Sequence, residues 1–542
     1  STSLFFVMAA VSHVSPLNQL VTPLLTDMYQ ISMAYAYWRA GRHNERATFE
    51  LFFRKNPFSG EYVIFTGIDQ VILHLRSFKF SAGDIEYLKS LPSLANADPA
   101  FFEYLAGLDC SSVVVDAMRD GSIAFPRVTL IRVQGPLIIG QLLETTLLNL
   151  VNFPSLIATN AARMRLAAGP DKTLLEFGLR RAQGPDGGIS ASRYAYVGGF
   201  DGTSNVIAGK CTGIPVSGTH AHAFVQSHTG WGDIKDPMLS GVNFVERIKE
   251  LRSSKPAWEN TNESELVAFV AYAQSFPNGF LALIDTYDTM SSGVENFVIV
   301  ALALTELNFK PLGIRLDSGD LAYLSKEVRR RMDEAADEFN CAHLRDCKVV
   351  ASNDINESVL LSLNNQGHAI DAFGIGTHLV TCQAQPALGC VYKLVDVEGT
   401  ARIKLSQDIA KVMIPGDKSA YRLLDKKGQP LLDLLTRRHE PAPEPGKRVL
   451  CRHPFEENKR ANVIPTTVIP LLETIWDGPN QTSNDPVTPK DAREFALAAV
   501  KTIRSDIIRP LNPTPYKVSV SSSLYSFLHE MWQDNMPIRE LE

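Results

Sequence analysis

A chain of 542 residues is long enough for two or three structural units, and 45% hydrophobic with 21% charged residues is the balance of an ordinary globular protein with ample core. A formal net charge of −6 speaks against a polyanionic partner such as nucleic acid, although a few local cations are enough to hold a small phosphorylated substrate. The seven cysteines are odd in number, scattered and free of any CxxC pair, which argues against a disulfide framework and fits a reducing compartment.

The N-terminal STSLFFVMAAV is apolar but short, with no basic residue before it. It lacks the charged start of a signal peptide and the length of a membrane span. Met8 is the expected natural start. No later stretch reaches spanning length without charge, so no membrane association is expected and the expected location is the cytosol. Residues 24–40, LLTDMYQISMAYAYWRA, predict a helix capped by Thr26 or Asp27. ATFELFF (47–53) and YVIFTGI (62–68) predict two strands joined through RKNPFSGE as a hairpin. Helical stretches follow to about residue 108. SIAFPRVTLIRVQGPL then predicts two strands broken at Pro126, leading into a long helix from about Gly140 to Arg165.

From residue 173 the pattern changes. TLLEFGLR (173–180), FLALIDT (280–286), PLGIRLD (311–317), KVVASND (348–354) and IDAFGIGT (370–377) read as short strands. Helices are expected at 187–199, 292–307, 319–339 and 355–365. Short apolar strands alternating with such helices indicate a parallel sheet with helical crossovers. No GxGxxG follows the first strand, which favours a closed α/β barrel over a dinucleotide fold. After residue 390, VYKLVDVEG, ARIKLS and YRLLDKKGQPLLDLL look like hairpin strands. Two Pro-rich links and a helix at 490–504 follow, expected as a second layer on the barrel.

In such a barrel the reactive groups sit at the C-terminal ends of the strands. That rule selects Glu176 and Arg180, the Gly218-Thr219-His220 tip, Asp285, Arg315 with Asp317, Ser352-Asn353-Asp354, and Gly374-Ile375-Gly376-Thr377, all expected to face one bowl. GIGT offers backbone N–H groups and a hydroxyl to a phosphate, though the same string also makes a plain tight turn. Asp285 and Asp317 could hold Mg²⁺ or ribose hydroxyls, or cap helices. Arg180, Arg181 and Arg315 can grip a carboxylate or phosphate bidentately. Cys341, His343 and Cys347 have zinc-ligand types but number only three, and read as a helix-to-strand connection. In VSGTHAHAFV, zinc would need further ligands for His220 and His222, and no GxSxG serves a hydrolase. A histidine beside a Gly-Thr turn and phosphate loops can instead attack a phosphoryl group, while packing remains the alternative.

Several long strings, in order, carry a more specific signal: LLTDMYQISMAYAYW, ELFFRKNPFSGEYVIFTGI, QGPLIIGQLLETTLLNLVNFPSLIATNAAR, EFGLRRAQGPDGGISASRYAYVGGFDGTSNV, GTHAH, GIRLDSGDL and FGIGTHLVTC. With these the chain resembles the nicotinate phosphoribosyltransferase family. The resemblance implies an irregular α/β barrel (146–390) and a second α+β domain built from N- and C-terminal segments (1–145 and 391–542). It implies formation of nicotinate mononucleotide and pyrophosphate from nicotinate and 5-phosphoribosyl 1-pyrophosphate, with ATP hydrolysed through a phosphohistidine. It also implies Mg²⁺, or Mn²⁺ in its place, and a homodimer with shared active sites.

Carried over by motif, His222 is the phosphorylated imidazole and His220 a packing residue. Thr219, Arg315 and Arg180 belong to the nicotinate site, Tyr29 stacks on the ring from the partner subunit, and Gly376 and Thr377 hold the ribose 5-phosphate. Asp285 and Asp317 fall to ribose and Mg²⁺-pyrophosphate. Two alternatives stand beside this reading. The same transfer to nicotinamide would want an acceptor such as Asp201, and a non-catalytic phosphosugar-binding barrel would keep only the fold.

Overall fold

The computed structural model describes residues 18–536 and Glu540, so the expectations for STSLFFVMAAV and Met8 lie outside the described residues. A six-stranded parallel sheet forms the barrel wall. Its order is Leu281–Leu283, Gly313–Leu316, Lys348–Ala351, Ala372–Ile375, Thr173–Glu176 and Gly202–Thr203. Crossover helices Gly184–Val197, Val294–Glu306, Leu321–Glu338 and Glu357–Gln366 lie where the sequence expects them. Val294–Glu306 (VENFVIVALALTE) is apolar on nearly every side and correspondingly buried from Val298 to Leu304. Beyond Gly202–Thr203 the ladder continues only as a parallel bridge from Thr203 to Val216. Among the described residues no strand pairing links that edge to Leu281–Leu283, so the barrel is irregular.

The second domain interleaves the two ends of the chain. A seven-stranded sheet is ordered Thr400–Ala401, Cys390–Val397, Arg46–Phe53, Ile131–Pro136, Val114–Ala117, Glu473–Asp477 and Thr482–Ser483. A second sheet of six strands, from Lys418–Leu424 to Val518–Ser521 in sequence, packs beside it. Buried charges tie early and late segments together. Arg132 donates to Asp116 and, at 3.1 Å, to Asp417, and Lys418 lies 3.0 Å from Glu50.

The helix Glu144–Ala168 runs between the two domains. Its Thr159 and Ser155 hydroxyls accept from the Ile64 and Thr66 N–H groups, while Asn160 donates to the His378 carbonyl at 3.0 Å and Arg163 pairs with Glu357 at 2.8 Å.

Two local expectations are corrected. Arg46–Phe53 and Val63–Phe65 are not a hairpin: the first pairs with Cys390–Val397 and Ile131–Pro136, the second with Ser122–Ala124. Seven of the eight residues of Arg46–Phe53 are buried, so it serves as a central strand with partners on both edges. The connection turns away through Phe58 and Ser59, both at positive φ (57° and 52°). The helix Met28–Arg39 does have Asp27 at its N-cap position, but neither suggested cap works: Asp27 accepts instead from the Thr145 hydroxyl, and the buried Thr26 hydroxyl has no partner among the described residues.

His74 lies in the core with neither ring nitrogen hydrogen-bonded among the described residues, and burial pushes its pKa down to about 4. The unfolded chain binds a proton below about pH 6.5 that the native state refuses until about pH 4. Stability should therefore fall as pH is lowered through that window, by up to about 1.4 kcal/mol per pH unit from this group. Urea unfolding at pH 7 and pH 5 should show a smaller pH dependence for His74→Phe than for the parent.

Candidate active site

The strand tips meet in one cavity of about 590 Å³. Arg180, Thr219, His220, His222, Arg315, Asp317, Gly376 and Thr377 all line it, with Arg181, Ser352, Asp354 and Gly374. The tips after Thr173–Glu176 and Ala372–Ile375 pack so closely that glycines are required. A Cβ on Gly374 would lie 2.3 Å from the Phe177 ring, and one on Gly178 would lie 2.4 Å from Val380. At Gly374 the GIG string thus brings backbone to the cavity where a side chain has no room, whereas a Cβ on Gly376 would meet nothing nearer than 3.3 Å.

His222 is the first residue of the short helix His222–Gln226. Its Nδ1 lies 3.0 Å from the Thr286 hydroxyl, and its Nε2 lies 4.0 Å from Asp285 Oδ1 and 3.8 Å from Asp317 Oδ2. Asp285 is almost wholly buried; its Oδ2 accepts from the Asp317 N–H at 2.8 Å and the Ser318 hydroxyl at 2.6 Å. Asp285 Oδ1 is buried with no hydrogen-bond partner among the described residues. Asp317 Oδ1 accepts from the Ser352 hydroxyl at 2.7 Å, which leaves Oδ2 towards His222. Hard oxygens on adjoining strand tips suit a Mg²⁺ ion that takes its remaining ligands from phosphate and water. Among the described residues no cluster of three or more His, Cys, Asp or Glu could form a cage of its own. The Cys341/His343/Cys347 stretch accordingly reads as a connection: His343 Nε2 lies 3.0 Å from the Pro311 carbonyl and Cys347 Sγ 3.6 Å from the same oxygen.

Arg315 projects from Gly313–Leu316 and donates to Thr219 Oγ1 at 2.9 Å and to the His220 carbonyl at 3.0 Å. Its buried Nε has no hydrogen-bond partner among the described residues. Burial draws its pKa below the ordinary arginine value, while Asp317 and Asp285 oppose that shift. The guanidinium is held in place by these two bonds on the wall of the cavity it lines. His220 packs its ring on Tyr272, Phe224 and Phe269, and burial pushes its pKa down to about 4, so it is neutral at physiological pH.

Not every strand-tip residue reaches the cavity: Asp285, expected to face it, is absent from its lining and lies buried beside His222. Glu176 is fully buried and accepts from Ser192 at 2.7 Å, from Thr203 at 2.6 Å and from the Gly178 N–H, so it ties its own strand to its neighbours. Asp201 is occupied by Arg165, Arg493 and the Leu174 N–H, away from the cavity lining. Tyr29 is 49% exposed on Met28–Arg39, donates to Glu144 at 3.3 Å and does not line the cavity of its own chain.

The sequence reasoning passed over Phe177, Ser204, Ile355 and His378 in the lining, and Thr286 against His222. Phe177, Thr286 and His378 each follow a selected tip residue by one position, so the same rule extended by one residue would have found them. Ser204 follows a strand of only two residues, too short to register as a pattern.

Comparison with known proteins agrees along nearly the whole chain. Residues 24–152 match the nicotinate phosphoribosyltransferase (NAPRTase) N-terminal domain, residues 173–433 the NAPRTase family and residues 417–528 the NAPRTase C-terminal domain. The chain is 51% identical over 549 residues to nicotinate phosphoribosyltransferase 1 of Arabidopsis thaliana, covering 97% of this chain and 96% of the relative. It is 43% identical over 528 residues to the Homo sapiens nicotinate phosphoribosyltransferase, covering 95% and 97%. The crystal structure of human nicotinic acid phosphoribosyltransferase superposes with a TM-score of 0.85 at 42% identity, covering 93% of this chain and 99% of that one.

Asp285 is positioned from behind by a single π-helical turn, Thr289–Gly293. A Cβ on Gly293 would lie 1.8 Å from the Ile284 carbonyl oxygen, so the turn and the strand tip touch backbone to backbone. Gly293→Ala should force them apart and cost about 1–3 kcal/mol of stability. A lowered urea midpoint would register that cost, and an unchanged midpoint would show that the turn is not tightly held.

Proposed function

The chain belongs to the nicotinate phosphoribosyltransferase family, and we propose that its barrel mouth joins nicotinate to 5-phosphoribosyl 1-pyrophosphate, coupled to ATP hydrolysis through phosphorylation of His222. The observation that carries the reading is that one cavity gathers a buried guanidinium, a glycine-lined floor and an imidazole facing two carboxylates.

In this reading Arg315, already braced by Thr219, grips the nicotinate carboxylate, and Arg180 adds positive charge beside it. Gly376 and Thr377 receive the ribose 5-phosphate. The pyridine nitrogen forms its bond to the anomeric carbon as the bond to pyrophosphate oxygen breaks, and the electron pair leaves with pyrophosphate. Positive charge develops on the ribose as it does in glycoside cleavage, and Asp285 or Asp317 faces it. Mg²⁺, held by Asp285 and Asp317, would neutralise the departing pyrophosphate. Holding ring and sugar in line supplies the orientation the transfer requires.

For His222 to accept the γ-phosphoryl group at Nε2, Nδ1 must carry the proton and donate it to Thr286 Oγ1, which the 3.0 Å contact allows. The N–P bond forms as ADP leaves, and water later cleaves it. Tyr29, outside its own cavity and half exposed, is assigned to the ring-stacking position in a partner subunit of a homodimer. A cytosolic location is supported by seven unpaired cysteines. Among the described residues no helix is long and apolar enough to cross a membrane.

The acid is preferred over the amide because the cavity offers Arg315, whereas Asp201, the acceptor an amide would want, is committed to Arg165 and Arg493. Mononucleotide formation from nicotinate and from nicotinamide, each with 5-phosphoribosyl 1-pyrophosphate and Mg²⁺, with and without ATP, tests the reading. Turnover of nicotinate alone, raised by ATP, is the expected result. Turnover of nicotinamide would move specificity away from Arg315, and silence on both would leave a binding protein.

His222→Ala should abolish the ATP stimulation and the acid-labile label that γ-labelled ATP leaves on the protein. Undiminished stimulation in that variant would refute the phosphohistidine.

A further inference from the structure

The barrel wall has a gap, and one side chain spans it. Backbone pairing on one side ends at Ser217: Thr203 N–H donates to the Pro215 carbonyl at 3.0 Å and Ser217 N–H to the Thr203 carbonyl at 2.9 Å. On the other side Leu281–Leu283 has, among the described residues, a strand partner along one edge only, Gly313–Leu316. Its opposite edge would leave the Leu283 N–H unpaired in a buried wall, a costly omission. That N–H instead donates to Nε2 of His220 at 3.3 Å.

We propose that His220 is a positioning residue whose imidazole replaces a missing strand, accepting the Leu283 N–H so that the loop carrying Thr219 and His222 is fixed at the barrel mouth. A backbone N–H can only donate, so Nε2 must present its lone pair and the neutral ring carries its proton on Nδ1, which is buried without a hydrogen-bond partner among the described residues; the imidazole thus moves the unpaired donor from the wall's backbone to a side chain inside the aromatic nest. Tyr272, Phe224 and Phe269 pack around the ring, with centroids at 4.8, 5.5 and 6.2 Å, and hold it in register. Arg315 then reaches across from Gly313–Leu316 to the His220 carbonyl and Thr219 Oγ1. The loop is therefore anchored to three barrel strands, and His222 begins its helix two residues beyond His220. A phenylalanine would fill the same aromatic nest; only the acceptor atom separates positioning from packing.

The part of this inference that concerns catalysis rests on the nicotinate reading above; the part that concerns the wall does not. The test compares the full-length His220→Phe, His220→Gln and His220→Asn variants. Gln places an amide oxygen near the Nε2 position, whereas Asn is too short to do so. Hydrogen exchange of peptides covering residues 280–286 reports on the Leu283 amide without any substrate. Faster exchange, by tenfold or more, is expected in the Phe and Asn variants, with protection within about threefold of the parent in the Gln variant.

In parallel, the nicotinate KM should rise about tenfold in the Phe variant with kcat changed less, and labelling of His222 by ATP should fall. The Gln variant should recover both. Unchanged exchange in the Phe variant, or a Gln variant as deprotected as the Asn one, would overturn the proposal. Should the Phe variant not fold, the Gln and Asn pair decides by the same exchange criterion. Changed exchange in a protein that turns over no nicotinate would leave the wall role standing and count against the catalytic reading alone.

Discussion

A parallel barrel must satisfy every backbone donor and acceptor around its wall, and here the wall runs out of strand between Gly202–Thr203 and Leu281–Leu283. The stretch from Val216 to His222 has to do two things at once: complete the wall and present an imidazole to the interior. It does the first with one backbone bridge and one side-chain acceptor. Because so little of the stretch is committed to regular pairing, its last residues are available to the cavity. The irregular part of the barrel is thus the segment that brings His222 to the cavity, which fits the general siting of functional residues on connections held by a rigid scaffold.

The electrostatics of the mouth follow from the same arrangement. Arg315, Asp317 and Asp285 arise from adjoining strand ends, so a buried cation sits close to two carboxylates. Each charge limits the desolvation cost of the others, yet their hydrogen bonding is left incomplete: Arg315 Nε and Asp285 Oδ1 are both without partners among the described residues. Buried polar atoms are normally satisfied, and beside Arg315 the Asp317 and Asp285 carboxylates offset part of the cost of burial instead.

The second domain supplies rigidity from a distance. Its seven-stranded sheet cannot form from either end of the chain alone, since Arg46–Phe53 pairs with Cys390–Val397. Buried pairs such as Lys418 with Glu50 and Arg132 with Asp417 join residues hundreds of positions apart. Loss of either partner would strand a charge in the core, so these pairs fix how the two ends meet. Through Glu144–Ala168 this frame reaches the His378 carbonyl beside the cavity.

The barrel class was legible from sequence because its crossover helices are long and its strands are short apolar runs, and the order of strand tips then named most of the cavity lining. Arg315, Asp317 and Thr377 were selected by position on a strand end, a local property, and His222 by the GTHAH string of the resemblance. What sequence could not decide were the non-local outcomes. Arg46–Phe53 looked like half of a hairpin because its neighbour in sequence was also apolar; its true partners lie far along the chain, and only the closed sheet assigns them. Glu176 and Asp201 carry the same chemistry as Asp285, and only packing directs them into hydrogen bonds with Ser192 and Thr203 or with Arg165 and Arg493. His220 and His222 are two residues apart with the same side chain. One became part of the wall and the other faces the carboxylates, because a backbone donor lies opposite the first and an open cavity opposite the second. Sequence determines which groups are present and at which strand ends; tertiary structure determines which of them keep an atom free, since a hydrogen bond is spent on whichever partner the fold brings within reach.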